Sequence, residues 1–401
     1  MKNIWNLNNI IALLLLINGM VNTTSKYLSR NLPKLKVNKL ISILCLVFII
    51  AACSTDEFDL YPNKAKIKLK GFSYTSFTND GYIKGNQINA IEDLINQTNS
   101  EWLSLCFFEY QSNPNSSDIA PNTTGINPVT GKIWPLTSTL EDIKSAISRA
   151  KQNNMKVMLK PHIDLYSGEW RAAISPDDEG KWFSSYTEMM TKYAKIAEEE
   201  KVEMLCIGVE YIVATQKKYT DEWRKLIEKI RNVYSGNLVY ASSFGSAPMF
   251  GIISNEFEQI DFWSELDYIG IDFYTSIIDD IYNPMAYGKA MLTMKQIINP
   301  IENISKRYSK NVILTEIGIQ SVRGALQKPW DYQIGRQTDA IIDNEGQKFY
   351  YNIMLNSFTP KIWFEGFFWW EWESVISDYE KTNFTPRNKP AAELLKWWYT
   401  D

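Results

Sequence analysis

From about residue 65 onward, short apolar runs alternate with longer stretches in which apolar positions recur every three or four residues. The short runs have the length and composition of buried parallel strands. Eight are visible: Ile67 to Tyr74, Trp102 to Tyr110, Lys156 to Asp164, Met204 to Tyr211, Leu238 to Phe244, Leu266 to Thr275, Val312 to Gly318 and Gly366 to Trp372. The longer stretches carry the periodicity of amphipathic helices. Ile143, Ala146, Ile147 and Ala150 mark one apolar face, and Thr139 with Asp142 makes a capping-box-like start. Phe183, Tyr186, Met190, Tyr193 and Ala197 mark the next. Trp223, Leu226, Ile227, Ile230, Val233 and Tyr234 mark another, with Thr220 as the expected N-cap. Further helices are predicted over Gln87 to Gln97, Ala290 to Tyr308, Gly346 to Asn356 and Ala391 to Tyr399. Only the link between the fifth and sixth strands lacks a clear helix. Eight strands, nearly all followed by a helix and uninterrupted by a linker or repeat, predict an α/β fold with a single (β/α)8 TIM barrel. A doubly wound open sheet is the alternative packing of the same units.

The N-terminal part is organised differently. Two apolar runs, Ile10 to Ile17 and Leu40 to Ala52, lie there, the second preceded by Lys34, Lys36 and Lys39. The second run is shorter than the roughly 20 apolar residues of a membrane span and ends in small residues before a cysteine, Ile50-Ala51-Ala52-Cys53. That ending resembles the lipobox of bacterial lipoproteins, which implies lipidation at Cys53. The expected organisation is a targeting region over 1–53, a polar linker over 54–64 and the barrel over 65–401. The expected location is the bacterial cell envelope, lipid-anchored at the outer membrane or the cell surface.

Composition narrows the chemistry. A net charge of −4 argues against a nucleic-acid partner, which favours a basic face. The single histidine, His162, excludes a zinc site built on several histidines and leaves one ring for any Ser-His-Asp triad. No GxSxG elbow accompanies it. Cys106 and Cys206 fall inside apolar strands, as buried free thiols do. Aromatic residues make up 13% of the chain, with 14 Trp and 22 Tyr. They fit either a Trp-rich core or a cleft of flat apolar surfaces suited to sugar rings. No metal and no organic cofactor is implied.

In a barrel of this kind the chemistry sits where strands end. Glu210 closes the fourth strand and Glu316 the seventh, each after an uncharged apolar run and each with a glycine two residues away. Glu109 ends the second strand; Lys160, His162 and Asp164 the third; Asp272 and Tyr274 the sixth; Glu371 and Glu373 flank the end of the eighth. Strands four and seven lie across the mouth from one another, so their terminal carboxyls can converge. Glycosidic cleavage needs such a pair, one protonated to serve the leaving oxygen and one ionised to attack; retaining enzymes hold them about 5–5.5 Å apart.

The ordered set of strand-end motifs resembles clan A of the glycoside hydrolases and, within it, family 113, known for endo-β-1,4-mannanases. The stretches concerned are Leu159-Lys160-Pro161-His162-Ile163-Asp164, Gly168-Glu169-Trp170-Arg171, Ile207-Gly208-Val209-Glu210, Asp267 to Tyr274, Thr315-Glu316-Ile317-Gly318 and Phe368-Trp369-Trp370-Glu371-Trp372. The resemblance implies that Glu210 is the acid/base and Glu316 the nucleophile of a retaining β-mannanase. Most of clan A carries Asn immediately before the acid/base; here that position is Val209, a departure that family 113 shares.

Supporting roles are expected around this pair. Lys160, His162 and Asp164 would form a polar cluster on the glycone side, although a lone histidine is also a common core residue. Trp170 and Arg171 would wall the cleft, and Asp272 would line it. Tyr274 is expected to donate a hydrogen bond to Glu316, which favours its charged form. Trp370 and Trp372 would stack under the sugar or else pack against Trp397 and Trp398. The expected partners are a β-mannan-type polysaccharide or oligosaccharide and, through lipid, a membrane, with the protein acting as a monomer. A non-catalytic glycan-binding lipoprotein and a clan A glycosidase acting on another β-glycan are the alternatives.

Overall fold

The computed structural model describes residues 64–245 and 247–400, and residues 65–400 fall in one compact unit. The expected lipidation site Cys53 and the two N-terminal apolar runs lie outside the described residues. The chain runs β1 (Leu69–Thr75), α1 (Gly81–Gln87), α2 (Ala90–Thr98), β2 (Trp102–Gln111), β3 (Ile119–Ala120), α3 (Leu140–Gln152), β4 (Lys156–Leu165), α4 (Glu179–Glu199) and β5 (Met204–Val209). It continues α5 (Thr220–Arg231), β6 (Asn237–Ser243), α6 (Glu256–Gln259), β7 (Tyr268–Phe273), α7 (Ala286–Tyr308), β8 (Val312–Ile317), α8 (Asn344–Phe358), β9 (Phe364–Glu373) and α9 (Pro390–Tyr399). Leaving aside the two-residue β3, which pairs antiparallel with the end of β2, eight parallel strands follow one another around a ring. β1 pairs with both β2 and β9, so the barrel is closed and the predicted (β/α)8 architecture is the observed one.

Closure without an edge explains the near-continuous apolar strands, which are covered on one face by helices and on the other by the barrel interior. Leu69, Trp102, Met158, Met204, Cys206, Val239, Ile313 and Phe368 form one buried cluster there. Cys106 and Cys206 are buried free thiols, and burial pushes each up to about 12.

Two helix expectations change. The helix predicted over Gln87 to Gln97 is α2, which starts only at Ala90 because Asn89 takes a left-handed conformation (φ 54°) that asparagine tolerates and a helix interior does not, and an unpredicted helix, α1, precedes it. Gly85 disguised α1 in the sequence; it is needed because a Cβ there would meet the Tyr74 hydroxyl at 2.4 Å. Asp142 holds α1 in place: its carboxylate accepts from the backbone N–H of Ile83 (2.9 Å) and Tyr82 (3.4 Å), while its own N–H donates to the N-cap Thr139. Thr220 does not cap α5; it is the first helical residue after a 3₁₀ turn over Lys217–Tyr219. The link between the fifth and sixth barrel strands contains only the four-residue α6 and short turns, as its weak periodicity indicated.

Candidate active site

The C-terminal halves of three barrel strands are irregular. Pairing slips between Cys206 and Val209 of β5, between Ile271 and Asp272 of β7, and between Leu314 and Ile317 of β8. Extra residues of this kind re-aim side chains at barrel rims. The slip in β8 sets Glu316 directly beside Asp272. Beyond the slip in β5, Glu210 adopts φ 56°, a left-handed conformation costing a non-glycine residue about 1–3 kcal/mol. Its N–H donates to the Ala241 carbonyl (2.8 Å), which ties the strained residue to β6. Both neighbouring glycines are demanded by contact: a Cβ on Gly208 would meet the Tyr240 ring at 2.6 Å, and one on Gly318 the Trp370 carbonyl at 2.2 Å.

Glu316 sits over a buried charge network. Lys160 from β4, fully buried, donates to Glu316 Oε1 (2.5 Å) and to both oxygens of Asp272 (3.1 Å each). Thr315 Oγ1 donates to Asp272 (2.7 Å), and the Tyr274 hydroxyl donates to Glu316 Oε2 (2.9 Å), the contact expected from sequence. Burial alone would favour a neutral amine at Lys160, but Asp272 and Glu316 outweigh it and hold the ammonium above its usual range. Asp272 is pushed well above the carboxylate range, first by burial and then by the charge of Glu316. His162 lies beside this network with Nε2 3.8 Å from Glu316 Oε1. Burial and the Arg171 and Lys160 charges keep its imidazole well below its usual range, hence neutral. Neither ring nitrogen has a protein partner among the described residues.

Glu210 is held from a loop instead. Its Oε2 accepts from the Trp170 indole N–H (3.0 Å) and from Arg171 Nη1 (3.3 Å). Arg171 is fixed in turn by the Ile163 carbonyl (2.9 Å) and by a short contact to Asp164. Among the described residues Oε1 of Glu210 makes no hydrogen bond and is free to carry a proton. Burial raises the Glu210 pKa above the ordinary carboxylate value; Arg171 opposes that shift and the charge of Glu316 reinforces it.

The structure thus gathers Lys160, His162, Asp272, Tyr274 and Glu316 on one side, and Asp164, Trp170, Arg171 and Glu210 on the other. This corrects three sequence expectations. Lys160, His162 and Asp164 are not one cluster, because Asp164 turns to Arg171 and serves the Glu210 side. Asp272 does not line the cleft; it is 1% exposed and engaged by Lys160 and Thr315. Trp372 is not at the cleft: it packs edge-on against Phe72, lies under the Arg387 guanidinium and donates to the Ala90 carbonyl behind the barrel wall. The cause is an extra residue in β9, where Trp369 pairs with Phe72 but Trp372 with Tyr74, so Trp369 and Trp372 both turn outward. Trp369 stacks on Tyr351 (3.9 Å) and bonds to Tyr399 rather than to Trp398. Trp370 alone of the three is half-buried, with its ring 6.3 Å from that of His162. Glu109, also a strand-end acid, points outward to Lys192 and Tyr193 of α4.

Three residues escaped the sequence reading. Phe77 is exposed beyond the end of β1 and stacks on Phe108, which touches the His162 ring. Its place two residues after a strand end was the available signal. Glu371, at the end of the eighth barrel strand, carries no marker of a role in the sequence; it accepts from Thr75 Oγ1 (2.8 Å), and burial pushes it up to about 8. Glu256 lies in the helix-poor link, where no periodicity marked it.

Residues 72–388 match the family model described as Glycoside Hydrolase Family 113. Among solved structures, one described as a GH113 beta-1,4-mannanase is 25% identical, covers 83% of this chain and 99% of its own, and superposes with a TM-score of 0.67. A complex structure of a GH113 beta-1,4-mannanase is 23% identical over the same shares, with a TM-score of 0.68. The GH113 beta-mannanase AaManA from Alicyclobacillus acidocaldarius, in complex with ManMIm, is 21% identical, with 83% and 97% covered and a TM-score of 0.67. None of the curated proteins matches the chain.

Proposed function

The chain belongs to glycoside hydrolase family 113 and is a glycoside hydrolase, and on that premise we propose that it cleaves β-1,4-mannosidic bonds with retention, using Glu316 as nucleophile and Glu210 as acid/base. The observation that carries the reading is the contrast between the two carboxyls. Glu210 is biased toward its protonated form by burial and keeps one oxygen unengaged. Glu316 has an ammonium on one oxygen and a phenol on the other, contacts that orient a carboxylate for attack. The mannan assignment is supported by the relatives described as β-1,4-mannanases.

In the first step a Glu316 oxygen bonds to the anomeric carbon as the glycosidic C–O bond breaks, and the Glu210 proton passes to the departing oxygen. Glu210 is then a carboxylate, which Arg171 and the Trp170 indole stabilise through Oε2. In the second step Glu210 takes a proton from water, the water oxygen attacks the anomeric carbon, and Glu316 departs still paired with Lys160. Neutral His162, with both ring nitrogens unpartnered, is placed to satisfy a sugar hydroxyl on the glycone side. Trp370 offers its ring face to the same sugar.

The test is Glu210→Ala with an activated aryl β-mannoside and azide. Azide needs no general base, so it should restore turnover and give a glycosyl azide of retained configuration. A product of inverted configuration would assign the nucleophile's role to Glu210 and overturn the reading. The proposal extends to lipidation at Cys53 and residence on the bacterial envelope, supported by the small-residue ending Ile50-Ala51-Ala52-Cys53. Cys53→Ser should abolish processing at this site; an unchanged mature N-terminus and unchanged detergent partitioning would refute it.

A further inference from the structure

Glu256 begins α6, in the one barrel connection without a long helix. It is 0% exposed, and among the described residues no cation pairs with it. Its carboxyl instead gathers three donors from two neighbouring strand ends. Oε1 accepts from the Tyr240 hydroxyl (2.6 Å) and from Thr215 Oγ1 (2.9 Å), and Oε2 accepts from the Ser243 N–H (2.6 Å). Both oxygens accept in this arrangement, and the three donors oppose the burial that pushes the carboxyl up to about 8.

The Tyr240 oxygen also accepts from the N–H of Tyr211 (2.8 Å), the residue directly after Glu210. The Tyr240 ring closes against Gly208, two residues before Glu210. Thr215 ends the turn that follows, its N–H bonded back to the Tyr211 carbonyl (2.9 Å). The strained segment around Glu210 is therefore gripped before, after and beyond the residue by groups that converge on one carboxyl.

We propose that Glu256 is a positioning residue of the hydrolysis: through Tyr240 and Thr215 it fixes the left-handed backbone at Glu210 and aims the proton-donating carboxyl at the leaving oxygen. The inference rests on the reading of Glu210 as acid/base. Glu256 touches no substrate and acts only through geometry. Loss of the grip would rotate the Glu210 carboxyl away from the bond it must protonate, while the Lys160 and Tyr274 contacts to Glu316 stay intact.

Glu256→Gln keeps the shape, but with its oxygen turned to the Ser243 N–H its N–H₂ faces the two hydroxyls. The Tyr240 proton then loses its acceptor while the Tyr240 oxygen, already accepting from Tyr211, must take a second donor; the Tyr240 link is weakened. The measurement is kcat/KM for a phenyl and a dinitrophenyl β-mannobioside, together with the thermal midpoint. Misplacement of a proton donor by about 1 Å costs on the order of 100-fold. The phenyl substrate, which needs protonation, should lose roughly 10- to 100-fold, and the dinitrophenyl substrate, which does not, should lose little. A purely structural role would lower the midpoint and reduce both substrates alike; that result, or no loss on either, overturns the proposal. Tyr240→Phe, which keeps the ring against Gly208 but removes the hydroxyl link, should show the same asymmetry in smaller degree and decides the matter if Glu256→Gln does not fold. Glu210→Ala, measured alongside, must show the same asymmetry more strongly. If it shows none, the acid/base reading falls and the positioning role with it. If it does while Glu256→Gln affects both substrates equally, only the positioning role falls.

Discussion

The two candidate catalytic carboxyls share a residue type and a barrel rim, yet they are held in opposite ways. Glu316 lies within a strand and is engaged by side chains that themselves come from a strand or its immediate end: Lys160 from β4, which Asp272 on β7 holds in turn, and Tyr274 just after β7. Glu210 lies just past its strand in a strained backbone and takes its side-chain partners, Trp170 and Arg171, from the loop after β4. A nucleophile must hold its aim while it attacks and later departs, and a rigid strand layer with Lys160 and Tyr274 on its two oxygens provides that. An acid/base must gain and lose a proton. Its surroundings have to tolerate both forms, and here burial favours the neutral carboxyl while Arg171 limits the cost of the charged one.

The contrast breaks most severely at Glu316. Glu316→Ala removes the proposed attacking group, so no glycosyl-enzyme should form and turnover should fall by several orders of magnitude, read as a missing burst of leaving group. Next is the ammonium beneath it. Lys160→Met leaves Asp272 and Glu316 buried together without their cation, and breaking such a pair costs about 3–5 kcal/mol in chemical denaturation at neutral pH. Asp272 already resists ionisation, so its protonation should relieve the repulsion, and the deficit relative to wild type should shrink as pH falls. A deficit that grows toward acid would show that Lys160 does not compensate these carboxylates.

Smaller effects sharpen the comparison. Trp370→Ala should weaken mannooligosaccharide binding by roughly tenfold or more, since stacking on an aromatic face is worth about 1–3 kcal/mol. Unchanged affinity in calorimetry would assign Trp370 to packing alone. Arg171→Gln acts on the proton rather than on the bond. Removing the charge that lowers the Glu210 pKa lets burial and Glu316 push it further up, so the acid should stay protonated to higher pH. The alkaline limb of kcat/KM against pH should therefore move upward. A limb that moves down, or does not move, would mean that another group sets it.

The barrel and its principal acids follow from the linear pattern of the chain. Strand runs such as Val312-Ile313-Leu314 need burial on both faces, and only closure among helices provides it eight times over. An acid that ends such a run has few places to be except the rim, which is why Glu210 and Glu316 stand out in the sequence, while their separate roles were what the family resemblance implied. Local rules failed where the tertiary structure adds a residue or turns an acid outward. The run Phe368-Trp369-Trp370-Glu371-Trp372 suggests, by simple alternation, that Trp370 and Trp372 share a face; the extra residue in β9 breaks that alternation and sends Trp372 to the wall. Nothing local distinguishes Asp272, which pairs with Lys160 across 112 residues, from an acid that faces substrate. Neither Glu109, at a strand end, nor Glu256, in the helix-poor link, announces a role in the sequence. Only the packed molecule shows that one anchors a helix while the other gathers the backbone around Glu210, because each role is defined by donors distant in the chain.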